Sequence, residues 1–159
     1  MRMRTCIALL ACFLLAAIAY GDKTPATVQF KLAQKSATAG SKVKGTITIT
    51  FPEGKHAYQN PPSKDYMIPL TVASASKEYK LGPVKYPKGV GRQTVGETED
   101  VMVYEGTVEV PVVIELSGKP GPIVVKLTVG YQQCTEHDCN APEEIVVTAK
   151  ITVKPAKSK

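Results

Sequence analysis

Beyond Asp22, apolar and polar side chains alternate along the chain with a period of two. Val28, Phe30 and Leu32 fall on one side and Gln29 and Lys31 on the other, the pattern of a half-buried strand. Residues 43–51 repeat the alternation, and Pro52, Glu53, Gly54 and Lys55 stop it with turn-forming side chains. Runs rich in Val, Ile and Thr recur at 67–73, 79–85, 101–116, 123–131 and 144–153. The pattern predicts about seven strands. Pro111 falls inside the longest run and cannot donate to a central ladder, which predicts a bend, a bulge or an edge position there. No stretch of this region sustains a 3.6-residue period. Strands that follow strands without intervening helices connect antiparallel, so the expected fold is all-β, a two-sheet sandwich of the immunoglobulin-like type.

Composition adjusts the picture at the N-terminus. Arg2 and Arg4 form a basic head, and from Cys6 to Ala19 the chain is apolar before it meets Asp22 and Lys23. The run is shorter than the roughly 20 residues of a spanning helix. Residues 1–19 therefore read as a secretory signal peptide, with cleavage expected after Ala19 or Gly21. A lipoprotein reading would process the chain at Cys12 and leave the second half of the apolar run unused. The expected organisation is a leader, one sandwich domain over 22–154 and a basic tail over 155–159, with no transmembrane segment in the mature chain and a periplasmic or secreted location. Loss of the leader leaves 18 basic against 14 acidic residues, a net charge of +4. Part of that charge sits in the tail and the rest is interspersed with carboxylates, so no nucleic-acid surface is expected.

The leader also takes Cys6 and Cys12 with it. Cys134 and Cys139 remain, too few for a zinc-finger or iron–sulfur framework and placed by export where disulfides persist. They flank four polar residues, Thr135 to Asp138, between two predicted strands, so they should face each other across a hairpin. Opposed residues there have α-carbons about 4.5 to 5.5 Å apart, which a disulfide tolerates. The pair is too close in sequence to staple two sheets as the cysteines of antibody domains do, and the chain has no Trp for such a core. Closing so short a ring removes only about 2 kcal/mol of unfolded-state entropy, and a tip of polar residues is open to an attacking thiolate. A structural staple and an exchanging pair are both compatible with this geometry. Glu136 and Asp138 oppose a thiolate here, whereas a protonated His137 would favour one.

At this hairpin the sequence resembles the N-terminal periplasmic domain of the thiol:disulfide interchange protein DsbD, whose pattern is Tyr-Gln-Gly-Cys, a short loop, and Cys-Tyr-Pro-Pro-Glu. Tyr131, Gln132, Cys134, Cys139, Pro142 and Glu143 match it. Segments 86–90, 103–106 and 111–114 are similar to the stretches around that family's cap, so the likeness covers about 52–153. The loop between the cysteines is one residue shorter, Gln133 replaces a Gly, and Asn140 and Ala141 replace Tyr-Pro. The resemblance implies an immunoglobulin-like fold and electron exchange through Cys134 and Cys139 with periplasmic thiol–disulfide proteins. It also implies a cap over residues 89–96, whose three glycines give it the backbone freedom to open, with Arg92, Thr94 and Val95 in or beside it and no aromatic to shield the sulfurs. Tyr58, Tyr131 and His137 would surround the pair. No cofactor is implied, and a separate membrane protein would donate the electrons.

Two other classes compete. Cys134, His137 and Cys139 form a C-x-x-H-x-C cluster suited to copper(I) or zinc, to which His56 could add a fourth ligand. A binding sandwich with a structural hairpin disulfide is the other. The glycines at 89, 91 and 96 lack the Lys-Ser/Thr ending of a phosphate loop. Neither histidine accompanies a G-x-S-x-G element, and Glu97, Glu99 and Asp100 read as a solvated loop.

Overall fold

A computed structural model describes residues 24–94 and 96–156. The expected leader with its cleavage positions, Val95 and the last three residues of the tail lie outside the described residues. Among the described residues eleven strands run in chain order: β1 (Thr27–Leu32), β2 (Ser36–Thr38), β3 (Lys42–Thr50), β4 (His56–Tyr58), β5 (Thr71–Ala73), β6 (Tyr79–Leu81), β7 (Val90–Arg92), β8 (Val101–Glu105), β9 (Thr107–Leu116), β10 (Gly121–Tyr131) and β11 (Glu143–Lys154). They form two four-stranded sheets, β1-β3-β9-β6 and β2-β11-β10-β5, and a three-stranded sheet, β4-β8-β7. All pairings are antiparallel except β2 with β11.

The two larger sheets share one core because each long strand turns every second residue inward. Ile47 and Ile49 of β3 and Val110, Val112 and Ile114 of β9 meet Val125, Leu127 and Val129 of β10 and Ile151 and Val153 of β11. Tyr79 adds a polar tie between the sheets: its hydroxyl donates to Lys126 O (2.8 Å) and accepts from Lys126 N–H (2.6 Å). The fold is the expected all-β, immunoglobulin-like sandwich.

The strand count exceeds the expected seven for identifiable reasons. Three strands of three residues each, β2, β4 and β7, are too short to show a period. The 101–116 run divides at Gly106, whose φ of +59° breaks the ladder and sends β8 into the third sheet. The 67–73 and 79–85 runs contribute only β5 and β6. Pro111 lies opposite Thr46 in an uninterrupted register, beyond the Leu116–Ile114 stretch that β6 covers. At that point β9 is an edge, one of the expected outcomes, and the ladder has no bulge.

Candidate functional site

Past Tyr131↔Glu143, the last pair of the β10–β11 ladder, the connection continues as a narrow arm. Thr135 N–H donates to Asp138 O and Asn140 N–H to Gln133 O, both at 2.8 Å, and these bonds bracket Cys134 and Cys139. The cysteines therefore occupy a non-hydrogen-bonded pair, the position where opposed side chains approach most closely. Their sulfurs are bonded and their α-carbons are 4.0 Å apart, closer than the expected 4.5 to 5.5 Å. The tip is organised by Thr135, whose Oγ1 accepts from the N–H groups of His137 and Asp138 (both 3.0 Å) and donates to Asp138 Oδ1 (2.6 Å).

The outward-facing backbone of Cys134 is taken up by β4. Cys134 N–H donates to His56 O (2.8 Å) and His56 N–H donates to Cys134 O (3.0 Å), so the arm extends the third sheet. Opposed residues share a face, and His56 in turn opposes Glu105 on β8. Cys134, His56 and Glu105 thus stand in one row across three neighbouring strands. Tyr58 and Val103 form the next row. Cys134 packs with Tyr58, Met67, Val101 and Val103 in a small apolar cluster separate from the sandwich core and is 1% exposed. Cys139 is exposed. One cysteine of the bridge belongs to a hydrophobic cluster and the other is exposed.

His56 is buried, 7% exposed, with its ring edge-on to Tyr58 at 6.2 Å. Its Nε2 has no hydrogen-bond partner among the described residues. Burial pulls its pKa below the ordinary 6.5; Glu105 and Glu136 push it back up and Arg92 adds to the lowering. Arg92 grips Glu105 with two bonds, Nε to Oε2 at 2.8 Å and Nη2 to Oε1 at 2.5 Å, and holds that carboxyl below the usual range. An open cavity of about 620 Å³ is lined by His56, Arg92, Gln93, Glu105 and Glu136.

The expected cap is partly a strand. Residues 90–92 form β7, paired with β8, and a β-carbon on Gly89 would lie 2.4 Å from Val103 O. That glycine permits close backbone approach, where freedom to open was expected. Beyond β7, Glu97 N–H donates to Thr94 O (3.1 Å) in a turn whose Gly96 has φ +80°, a value that favours glycine. Thr94 is buried, its hydroxyl without a partner among the described residues. The hydroxyl of Tyr66, an exposed side chain, donates to Glu97 Oε1 and ties this turn to the loop before β5.

The remaining expected residues scatter. Tyr131 belongs to the sandwich core, edge-on to Phe51 at 5.8 Å, with its hydroxyl donating to Glu143 Oε2 (3.3 Å). Burial, reinforced by the Glu143 charge, pushes its pKa up to about 12. His137 is exposed at the tip. In the metal alternative of Cys134, His137 and Cys139, the two sulfurs would have to ligate, yet they are bonded to each other. Among the described residues no group of three or more His, Cys, Asp or Glu is arranged for a metal ion. Sequence reasoning left Glu105 and Met67 out of the site and read His56, beside Tyr58, as packing or surface; the structure buries it. The alternation of His56 with Tyr58 was the available signal.

Together the fold and the arm define an immunoglobulin-like domain with a disulfide at a hairpin tip, half sheltered by a side sheet. A model of the family described as "Thiol:disulfide interchange protein DsbD, N-terminal" matches residues 24–151, and the chain belongs to that family. The N-terminal periplasmic domain of ScsB from Proteus mirabilis superposes with a TM-score of 0.52 at 11% identity, covering 85% of this chain and 49% of that one. The chain thus spans about half the length of that solved chain. The DsbD N-terminal domain of Neisseria meningitidis, in its reduced form, gives a TM-score of 0.43 at 22% identity over 79% of this chain and 83% of that one. No curated protein gives a significant match. Among the described residues no helix is long and apolar enough to cross a membrane.

Proposed function

We propose that this is an exported thiol–disulfide exchange domain, with residues 1–19 as its leader, 22–154 as the working domain and 155–159 as a basic tail. It passes electrons between a redox partner and other periplasmic proteins through Cys134 and Cys139, with a separate membrane protein as electron donor. The observation that carries the reading is the asymmetry of the bridge, one cysteine exposed and the other buried, in a chain of this family. An incoming thiolate can approach the sulfur of Cys139 and expel that of Cys134, leaving a mixed disulfide at the surface. In the opposite direction the Cys139 thiolate attacks a partner disulfide, and Cys134 then closes the bridge and releases the partner. Thr94, Val95 and Arg92 belong to the cap in this reading, Tyr58 shields the buried sulfur, and Tyr131 and His137 stand at the base and the tip of the arm.

Trapping tests the assignment. With Cys134→Ser, the remaining Cys139 should capture glutathione as a stable mixed disulfide within minutes of exposure to oxidised glutathione. With Cys139→Ser, the buried Cys134 should stay free in the native state. Equal labelling of both variants would refute the division of roles.

A further inference from the structure

His56 is placed where exchange through this bridge needs a proton acceptor. Its backbone pairs with that of Cys134 by two hydrogen bonds, so both side chains leave the same face of the third sheet as nearest cross-strand neighbours. It is more than nine-tenths buried, and its Nε2 has no partner among the described residues. An orphaned ring nitrogen in such a place calls for a function. Behind it on the same row stands Glu105, held by both guanidinium bonds of Arg92.

The sulfur opposite has a matching need. Cys134 sits among Tyr58, Met67, Val101 and Val103, where a thiolate is poorly solvated, so its thiol resists ionisation. Resolution of a mixed disulfide nevertheless requires that thiolate as nucleophile.

Resting on the exchange reading, we propose that His56 is the base that takes the Cys134 thiol proton, with Glu105 as its positioning residue. In the oxidising direction the Cys134 S–H bond breaks and its proton goes to Nε2. The resulting thiolate attacks the sulfur of Cys139, the Cys134–Cys139 bond forms, and the mixed-disulfide bond breaks. The electron pair leaves on the partner's sulfur, so the two cysteines are oxidised and the partner disulfide is reduced. The imidazolium passes its proton to solvent or to the departing thiolate. In the reducing direction the same nitrogen, once protonated, returns the proton to Cys134 as it is expelled.

Burial keeps the imidazole neutral at pH 7, the form a base requires, and its other neighbours set the balance. Glu105 on β8 and Glu136 on the arm favour protonation, Arg92 on β7 opposes it, and Tyr58 on the same strand packs on the ring without charge. Lys55, Glu53 and Gln93 also line the cavity.

The test is the reaction of the reduced, full mature chain with the aromatic disulfide dithiobis(nitrobenzoate). Attack by Cys139 releases one coloured thiolate and attack by Cys134 releases a second, so the two steps are read separately. His56→Gln is expected to slow the second release about 10²-fold at pH 7 and to leave the first unchanged. The wild-type second phase should level off once the imidazole is neutral, whereas that of His56→Gln should keep rising with pH. Equal second phases, or both phases slowed by one factor, would overturn the proposal. Glu105→Gln retains the imidazole and should lower the pH midpoint of the second phase, and an unmoved midpoint would count equally against it. If the wild-type protein released no first thiolate, the exchange reading itself would fall, a result distinct from loss of the second phase alone.

Discussion

Replacing the two cysteines with serine one at a time should give unequal losses of stability, although each change removes the same bond. The bridge joins residues 5 apart in sequence, so opening it restores only about 2 kcal/mol of unfolded-state entropy. Cys139 is exposed, and a serine hydroxyl there meets water. Cys139→Ser should therefore cost about 2 kcal/mol, the same as reducing the wild-type bridge. Cys134→Ser places its hydroxyl among Tyr58, Met67, Val101 and Val103 and adds about 1–3 kcal/mol for a buried group without an apolar match. Urea unfolding followed by circular dichroism and tyrosine emission measures all three, since the chain has no Trp. Equal losses for the two variants would refute the asymmetric burial. A loss well above 4 kcal/mol for Cys139→Ser would show a bridge that carries the fold. The same 2 kcal/mol, through the cycle linking folding and oxidation, lowers the potential of the folded pair by only about 40 mV relative to the unfolded chain, which leaves it open to exchange.

Other outcomes follow from individual positions. Gly89→Ala brings a β-carbon to 2.4 Å from Val103 O, a backbone atom that cannot swing away, so β7 must separate from β8. A loss of about 1–3 kcal/mol in urea unfolding is expected, and an unchanged midpoint would contradict the close approach. Because burial lowers the pKa of His56 in the folded state, the unfolded chain binds its proton first as the pH falls. Its share of stability, present above the ordinary 6.5, is lost as the pH drops toward the folded value, and His56→Gln should flatten the stability profile in that window. Tyr131, raised to about 12, works in the alkaline range: the unfolded phenol ionises first above 10, and stability drains as the pH rises from there. Tyr131→Phe should remove that component, visible in the pH dependence of thermal unfolding above 10.

Long strands were readable from the sequence and short ones were not, for a physical reason. β3, β9, β10 and β11 have enough residues for alternate burial to form a pattern, whereas β4 and β7 draw their stability from β8 beside them. The cysteine hairpin was legible from spacing and turn residues alone. Its asymmetry was not, because Gln132, Gln133, Thr135 and Glu136 make the segment look wholly solvated. In the structure Gln133 is buried, donating through Nε2 to Thr24 O (2.9 Å), and Cys134 is covered by residues that come from three other parts of the chain. His56 follows the same rule: beside Tyr58 and next to a turn it reads equally as packing or surface, and its pairing with Cys134 and Glu105 across the third sheet is what the sequence does not show. The glycines of 89–96 suggested a free loop, but freedom and close approach leave the same mark in a sequence.

The reduction potential of the Cys134–Cys139 pair tests the central claim most directly. Mature protein equilibrated in glutathione buffers, with free thiols trapped at each ratio, should show a midpoint in the range of exchange proteins, roughly −120 to −270 mV, reached rapidly. A pair still oxidised beyond about −300 mV would mean a structural staple on a binding sandwich and would contradict the account.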